Sequence, residues 1–142
     1  MRISDVLRGK GDAVATVDPA TTVGGLIGEL ARHNVGAMVV VDNDAVVGIV
    51  SERDIVRRLN ERGAELLNDP VSQIMTTSVV TCTPADSVDS LAATMTERRI
   101  RHMPVIVDGR LAGIVSIGDV VKSRITELES DREQLASYIS GS

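Results

Sequence analysis

Gly48-Ile49-Val50-Ser51-Glu52-Arg53-Asp54 returns 65 residues later as Gly113-Ile114-Val115-Ser116-Ile117-Gly118-Asp119. Sliding the chain onto itself by that offset keeps register without a gap from Val14/Val79 to Val56/Val121, and 14 of the 43 pairs are identical. A repeat this long and unbroken means two copies of one structural unit. A copy of roughly 45 residues is too small to bury both faces of a sheet alone. The two copies must therefore pack together.

Hydrophobic residues make up 43% and charged residues 25% of the 142-residue chain, which is enough apolar material for one compact unit. Tyr138 is the only aromatic residue. The core is therefore aliphatic, and a bound ring has no aromatic platform of the kind on which single-stranded nucleic acid stacks. A formal charge of −5 and a pI near 5.0 remove the broad basic footprint of a nucleic-acid or anionic-membrane binder. The longest apolar run, residues 35–41, is far below the roughly 18 residues of a spanning helix, and residues 1–5 carry no apolar signal segment. The expectation is a soluble, cytoplasmic protein. Cys82 is the single cysteine and reads as a small buried hydrophobe. His33 and His102 stand at no metal-ligand spacing, so neither a metal nor a cofactor is called for.

In chain order, residues 3–7 read as a helical turn echoed by residues 71–75 at an offset of 68, with the three extra residues absorbed by a turn-rich loop at 8–12. A strand at 14–17 closed by Asp18-Pro19 matches one at 79–82 closed by Thr83-Pro84. Thr22 and Ser87 stand as N-caps of amphipathic helices. Strands at 37–41 and 103–107 are rich in β-branched residues with little alternation, as in strands covered on both faces. Asp42-Asn43-Asp44 and Asp108-Gly109 turn the chain into strands at 46–50 and 111–115. A helix at 52–62 follows, with Gly63 as its stop. Its counterpart runs on to the C-terminus, where Val121, Ile125, Leu128, Leu135 and Ile139 form a heptad seam with Arg132 in the open slot. Two readings stand for this tail: it lies along its own domain, or it packs on a second subunit with Arg132 facing an acid. The sum is an α/β (α+β) fold of two β-α-β-β-α units, 1–70 and 71–142, with pseudo-twofold symmetry and a long C-terminal helix.

The two signatures, the Thr-x-x-Pro strand ends at Thr16 and Thr81 and the His102-Met103-Pro104-Val105 strand together resemble a tandem pair of CBS domains, the Bateman module. With the tail ending in Gln134-Leu135-Ala136-Ser137-Tyr138-Ile139, the chain is most similar to small stand-alone bacterial CBS-pair proteins. The resemblance implies a homodimer, and a regulatory module that binds an adenine nucleotide (AMP, ADP, ATP or NAD) between its repeats and signals to a protein partner not named by the sequence. It also implies that the module is not an enzyme, and no nucleophile or general-base motif argues otherwise.

The chemistry of the signature agrees with that implication. Asp54 and Asp119 carry carboxylates that can accept from both hydroxyls of a ribose. Ser51 and Ser116 open helices whose free N–H groups suit a phosphate or ribose oxygen. The same Ser-x-x-Asp is also a capping box, and that structural reading stands beside the functional one. Basic residues are unequally placed: Arg101 and His102 precede the central strand of copy two where copy one has Gly36 and Ala37, and Arg53 is matched by Gly118. Phosphate binding in either cleft must therefore borrow charge across the repeat. Arg98 and Arg99 read equally as a solvated helix end. Thr16, Thr81, Met38 and Met103 are the candidates for an aliphatic adenine slot. Two alternatives remain: an adaptor that recruits a partner through its C-terminal helix, and a sensor of another adenosyl ligand such as S-adenosylmethionine.

Overall fold

The structure, a computed structural model, describes residues 1–11 and 13–141. Its elements are α1 (Ile3–Lys10), β1 (Thr16–Val17), α2 (Val23–His33), β2 (Ala37–Asp42), β3 (Ala45–Ser51), α3 (Glu52–Arg62), α4 (Val88–Arg98), β4 (His102–Val107), β5 (Arg110–Ser116) and α5 (Ile117–Ile139), with 3₁₀ turns at Gly63–Asn68 and Val71–Gln73. Thr22 and Ser87 cap α2 and α4, their hydroxyls accepting from the amides of Gly25 and Ser90. Asn43, Asp44, Asp108 and Gly109 all take left-handed backbone, which the tight hairpin turns require.

The first copy forms a three-stranded sheet, with β1 parallel to β2 and β2 antiparallel to β3. The second copy keeps only the β4–β5 hairpin as a sheet. The strand expected at 79–82 shrinks to one bridge, Cys82 with Val105, and the strand expected at 14–17 shortens to Thr16–Val17. Pro104 explains the difference between copies. Its counterpart Val39 pairs with Thr16, but a proline has no N–H to donate across to the neighbouring strand. Only the bonds of Cys82 to Pro104 O and of Ile106 N to Cys82 O remain.

Residues 8–10, read from sequence as loop, are the last turn of α1, and the helix stops at Gly11 with φ 92°. Asp12, the last residue of that expected loop, lies outside the described residues. The echo at 71–75 is a 3₁₀ turn rather than an α-helix.

Each copy has its own aliphatic core, and the lead-ins are exchanged between them. Ile3 of α1 is fully buried in the core built by the second copy, with Leu91, Met95, Met103 and Val105. Leu66, Val71 and Ile74 sit in the core of the first, with Leu26, Met38 and Val50. Gly48 and Gly113 make this crossing feasible. A Cβ on Gly48 would lie 2.6 Å from Met75 Sδ, and one on Gly113 would lie 2.7 Å from Leu7 Cδ2. The close approach that the duplicated glycines permit is thus an approach of lead-in side chains to strands β3 and β5, which lie against each other between the copies.

The long helix α5 packs on its own domain only at its start, where Val120 and Ser123 are buried. Beyond that, Ile125, Leu128, Leu135 and Ile139 are exposed, Leu128 and Leu135 at 60% each. Glu127 still pairs with the Met1 ammonium at 3.2 Å, and the reading in which the tail lies along its own domain fails beyond that residue.

Candidate functional site

Both signatures fold as capping boxes. Ser51 N donates to Asp54 Oδ2 at 2.8 Å and Asp54 N donates back to Ser51 Oγ at 3.4 Å; Ser116 and Asp119 repeat the pattern at 2.8 and 3.2 Å. The structural role of these residues is therefore real, but it does not exhaust them. An ionised carboxylate has about four acceptor positions, and the capping bonds go to Oδ2 alone in each aspartate.

Between the copies lies a cleft of ≈ 760 Å³, within the roughly 300–1,000 Å³ of small-molecule sites. It gathers Ser51, Arg53, Asp54, Arg101, His102 and Ser116 of the sequence candidates. Gly36 and Ala37 line it too, so the cation-poor end of copy one faces the cation-rich end of copy two across a single space. Arg57, Arg98 and Arg99 also reach it; the repeat gave no reason to single out Arg57, and the other two read equally well as helix-end solvation. Ile49, Val79, Val80 and Ile100 supply an aliphatic wall.

Five arginines thus line one cleft against two acids, Glu52 and Asp54, in a chain whose net charge is −5. Several arginines elsewhere are neutralised: Arg32 pairs with Glu29, Arg58 with Glu61, Arg62 with Asp69 and Arg124 with Asp89. Among the described residues no carboxylate lies within 4.0 Å of a guanidinium of Arg53, Arg57, Arg98, Arg99 or Arg101. Guanidinium groups gathered around a concavity have the charge and the forked donors that suit a phosphate-bearing anion. Arg99 holds its place at a cost. It ends α4 with φ 56° and ψ 43°, a left-handed conformation in which its counterpart Asn34 is at ease and an arginine is not.

His102 enters the cleft from the first residue of β4. Burial pushes its pKa down, the charge of Lys10 pushes it further, and Asp119 and Glu52 oppose. At neutral pH it is a neutral donor and acceptor rather than the cation that its position beside Arg101 suggested.

Other sequence candidates lie elsewhere. Met38 and Met103 are 1% exposed and sit inside the two cores, because the alternation of β2 and β4 turns them toward the helices. Neither they nor Thr16 and Thr81 are among the lining residues. Asp119 stands outside the cleft, bound to Lys10. Cys82 is buried, and desolvation pushes its thiol up to about 11, so it is an inert core group at neutral pH. Among the described residues no helix is long and apolar enough to cross a membrane.

A family model described as the CBS domain matches residues 3–61 and 71–125. The chain belongs to the CBS-domain family. It is 38% identical over 150 residues to the mitochondrial CBS domain-containing protein CBSX3 of Arabidopsis thaliana, covering 98% of this chain and 72% of that protein. The crystal structure of the CBS-domain protein ATU1752 from Agrobacterium tumefaciens superposes with a TM-score of 0.86 at 46% identity, covering 87% of this chain and 99% of that one. The CBS pair of protein MJ0100, crystallised with 5′-methylthioadenosine and S-adenosyl-L-methionine, superposes with a TM-score of 0.80 at 25% identity, covering 89% of this chain and 98% of that one. The cleft described above is therefore the space between two CBS repeats, in a fold of which one structural neighbour holds adenosyl ligands.

Proposed function

We propose that this CBS pair is a non-enzymatic sensor that binds a phosphorylated adenine nucleotide, AMP, ADP, ATP or NAD, in the cleft between its repeats. The observation that carries the reading is the cleft's charge: five arginines, none with a carboxylate partner among the described residues, line the same cleft as Asp54. The ribose diol donates to Asp54, the adenine lies against Val79, Val80 and Ile100, and the phosphates project away from the aspartate toward Arg53, Arg57 and Arg101. An anion held by both copies favours one packing of the repeats over another, and that difference is the signal.

S-adenosylmethionine shares the adenosine but brings a sulfonium cation to a cleft already rich in positive charge, so it is the weaker ligand here. Thermal unfolding separates the two. A ligand at 100 times its dissociation constant stabilises the folded chain by about 2.7 kcal/mol. Millimolar ATP is expected to raise the melting temperature by several degrees and S-adenosylmethionine by less. Equal shifts, or a larger one with S-adenosylmethionine, would overturn the preference for phosphate.

The exposed seam of α5 supports a second component of the reading, a homodimer joined through that helix, with the dimer or its outer face presented to a protein partner. An apolar row at heptad spacing over a helix of 23 residues is what a coiled-coil contact buries.

A further inference from the structure

The two copies treat their signature aspartates differently. Asp54 lines the open cleft, whereas Asp119 Oδ2 lies 2.6 Å from Lys10 Nζ, which also donates to the Ile114 carbonyl at 2.9 Å. The source of this contact is the three-residue excess in the first lead-in. Leu7 and Met75 are equivalent, since they roof Gly113 and Gly48 respectively. After Met75 the chain passes at once into a bridge, Thr76 exchanging backbone bonds of 2.9 and 3.0 Å with Ile49. After Leu7 the helix continues for three residues to Lys10, and a residue three positions on falls on the same helix face. The Lys10 ammonium therefore reaches the carbonyl of Ile114, the counterpart of the Ile49 carbonyl that the Thr76 amide satisfies in the other copy. The same ammonium donates to Asp119 Oδ2.

We propose that Lys10 is a built-in competitor for the second ribose position: its ammonium joins the Ser116 amide on Oδ2 of Asp119 and neutralises the carboxylate that a ribose diol would need, whereas among the described residues no cation pairs with Asp54, so the resting chain offers one nucleotide site, at Asp54. The inference rests on the nucleotide reading of the cleft and adds the asymmetry between its two halves. Both partners would make charge-assisted bonds to the carboxylate, but the ammonium also brings a full opposite charge, while a ribose brings only neutral hydroxyls. The pair is partly sheltered, with the Lys10 and Asp119 side chains 34% and 19% exposed, so solvent screens it in part. Burial alone would push the Asp119 carboxyl up, yet the bonds from Lys10 and from the Ser116 backbone hold it below its usual range. The pair adjoins the open site as well, because Ser116, Ile117 and Gly118, the residues directly before Asp119, line the cleft.

Calorimetric titration with ATP and with AMP tests this on the full chain and four variants. The wild type is expected to bind one equivalent per chain, Lys10→Met two, and Lys10→Arg, which keeps the cation, one. Asp54→Ala alone is expected to bind none, whereas Asp54→Ala combined with Lys10→Met regains one, at Asp119. Circular dichroism melts of each variant establish that they are folded. A wild type that binds two equivalents, or a folded Lys10→Met that still binds one, overturns the competitor role and leaves the nucleotide reading intact. Absence of binding by both the wild type and folded Lys10→Met overturns the nucleotide reading and the competitor role with it.

Discussion

At the scale of single residues, Arg99 lines the cleft from a strained backbone position. Its left-handed backbone at the end of α4 is a position that glycine fills without strain, and its guanidinium lines the cleft. Arg99→Gly is therefore expected to stabilise the fold by about 1 kcal/mol and to weaken ATP binding at the same time. Urea unfolding and a binding titration on the same preparation check both halves, and a variant that loses stability would contradict the strain argument. The capping boxes show the reverse relation. Ser51 and Asp54 organise the start of α3 and present the carboxylate to the cleft with one set of bonds, so the geometry that caps the helix also places the carboxylate at the cleft.

At the scale of elements, the exchanged lead-ins bind the two copies into one unit. Leu66 is fully buried in the first core although it belongs to a 3₁₀ turn between the copies. Leu66→Ala is expected to cost about 2–5 kcal/mol, measured by chemical denaturation, with loss of the first core. The helices α2, α3 and α4 and both hairpins were legible in the sequence, because their caps, periodicity and turn residues act within a few positions of one another. Leu66 was not, since a short 3₁₀ turn has no hydrophobic period to read. The helical end of α1 was hidden by Gly9 and Gly11, which read as turn residues, and the loss of the strand at 79–82 depended on Pro104, 22 positions or more away from the residues it affects. The exposed seam of α5 belongs to this scale too. Leu128→Asp is expected to shift a dimer to monomer in light scattering at micromolar concentration while leaving the circular dichroism melt little changed, and a wild-type chain that is already monomeric would contradict the proposed contact.

At the scale of the whole molecule, duplication set two aspartates across a pseudo-twofold axis, and divergence separated their surroundings. The two signature aspartates, the serines and the uneven distribution of cations were legible as pairs at a fixed offset. The single shared cleft, the contribution of Arg57 and the capture of Asp119 by Lys10 were not, because they join residues from different copies whose separation in the chain carries no periodic signal. A net charge of −5 also concealed the cleft, since arginines concentrated in one place can dominate locally in an acidic protein. The most direct measurement is a calorimetric titration of ATP into the wild-type chain and into Asp54→Ala. Saturable binding by the wild type that falls at least about tenfold in the variant, a loss of roughly 1.4 kcal/mol, is the predicted result; equal affinity in the two, or no binding of any adenine nucleotide by the wild type, would contradict the account.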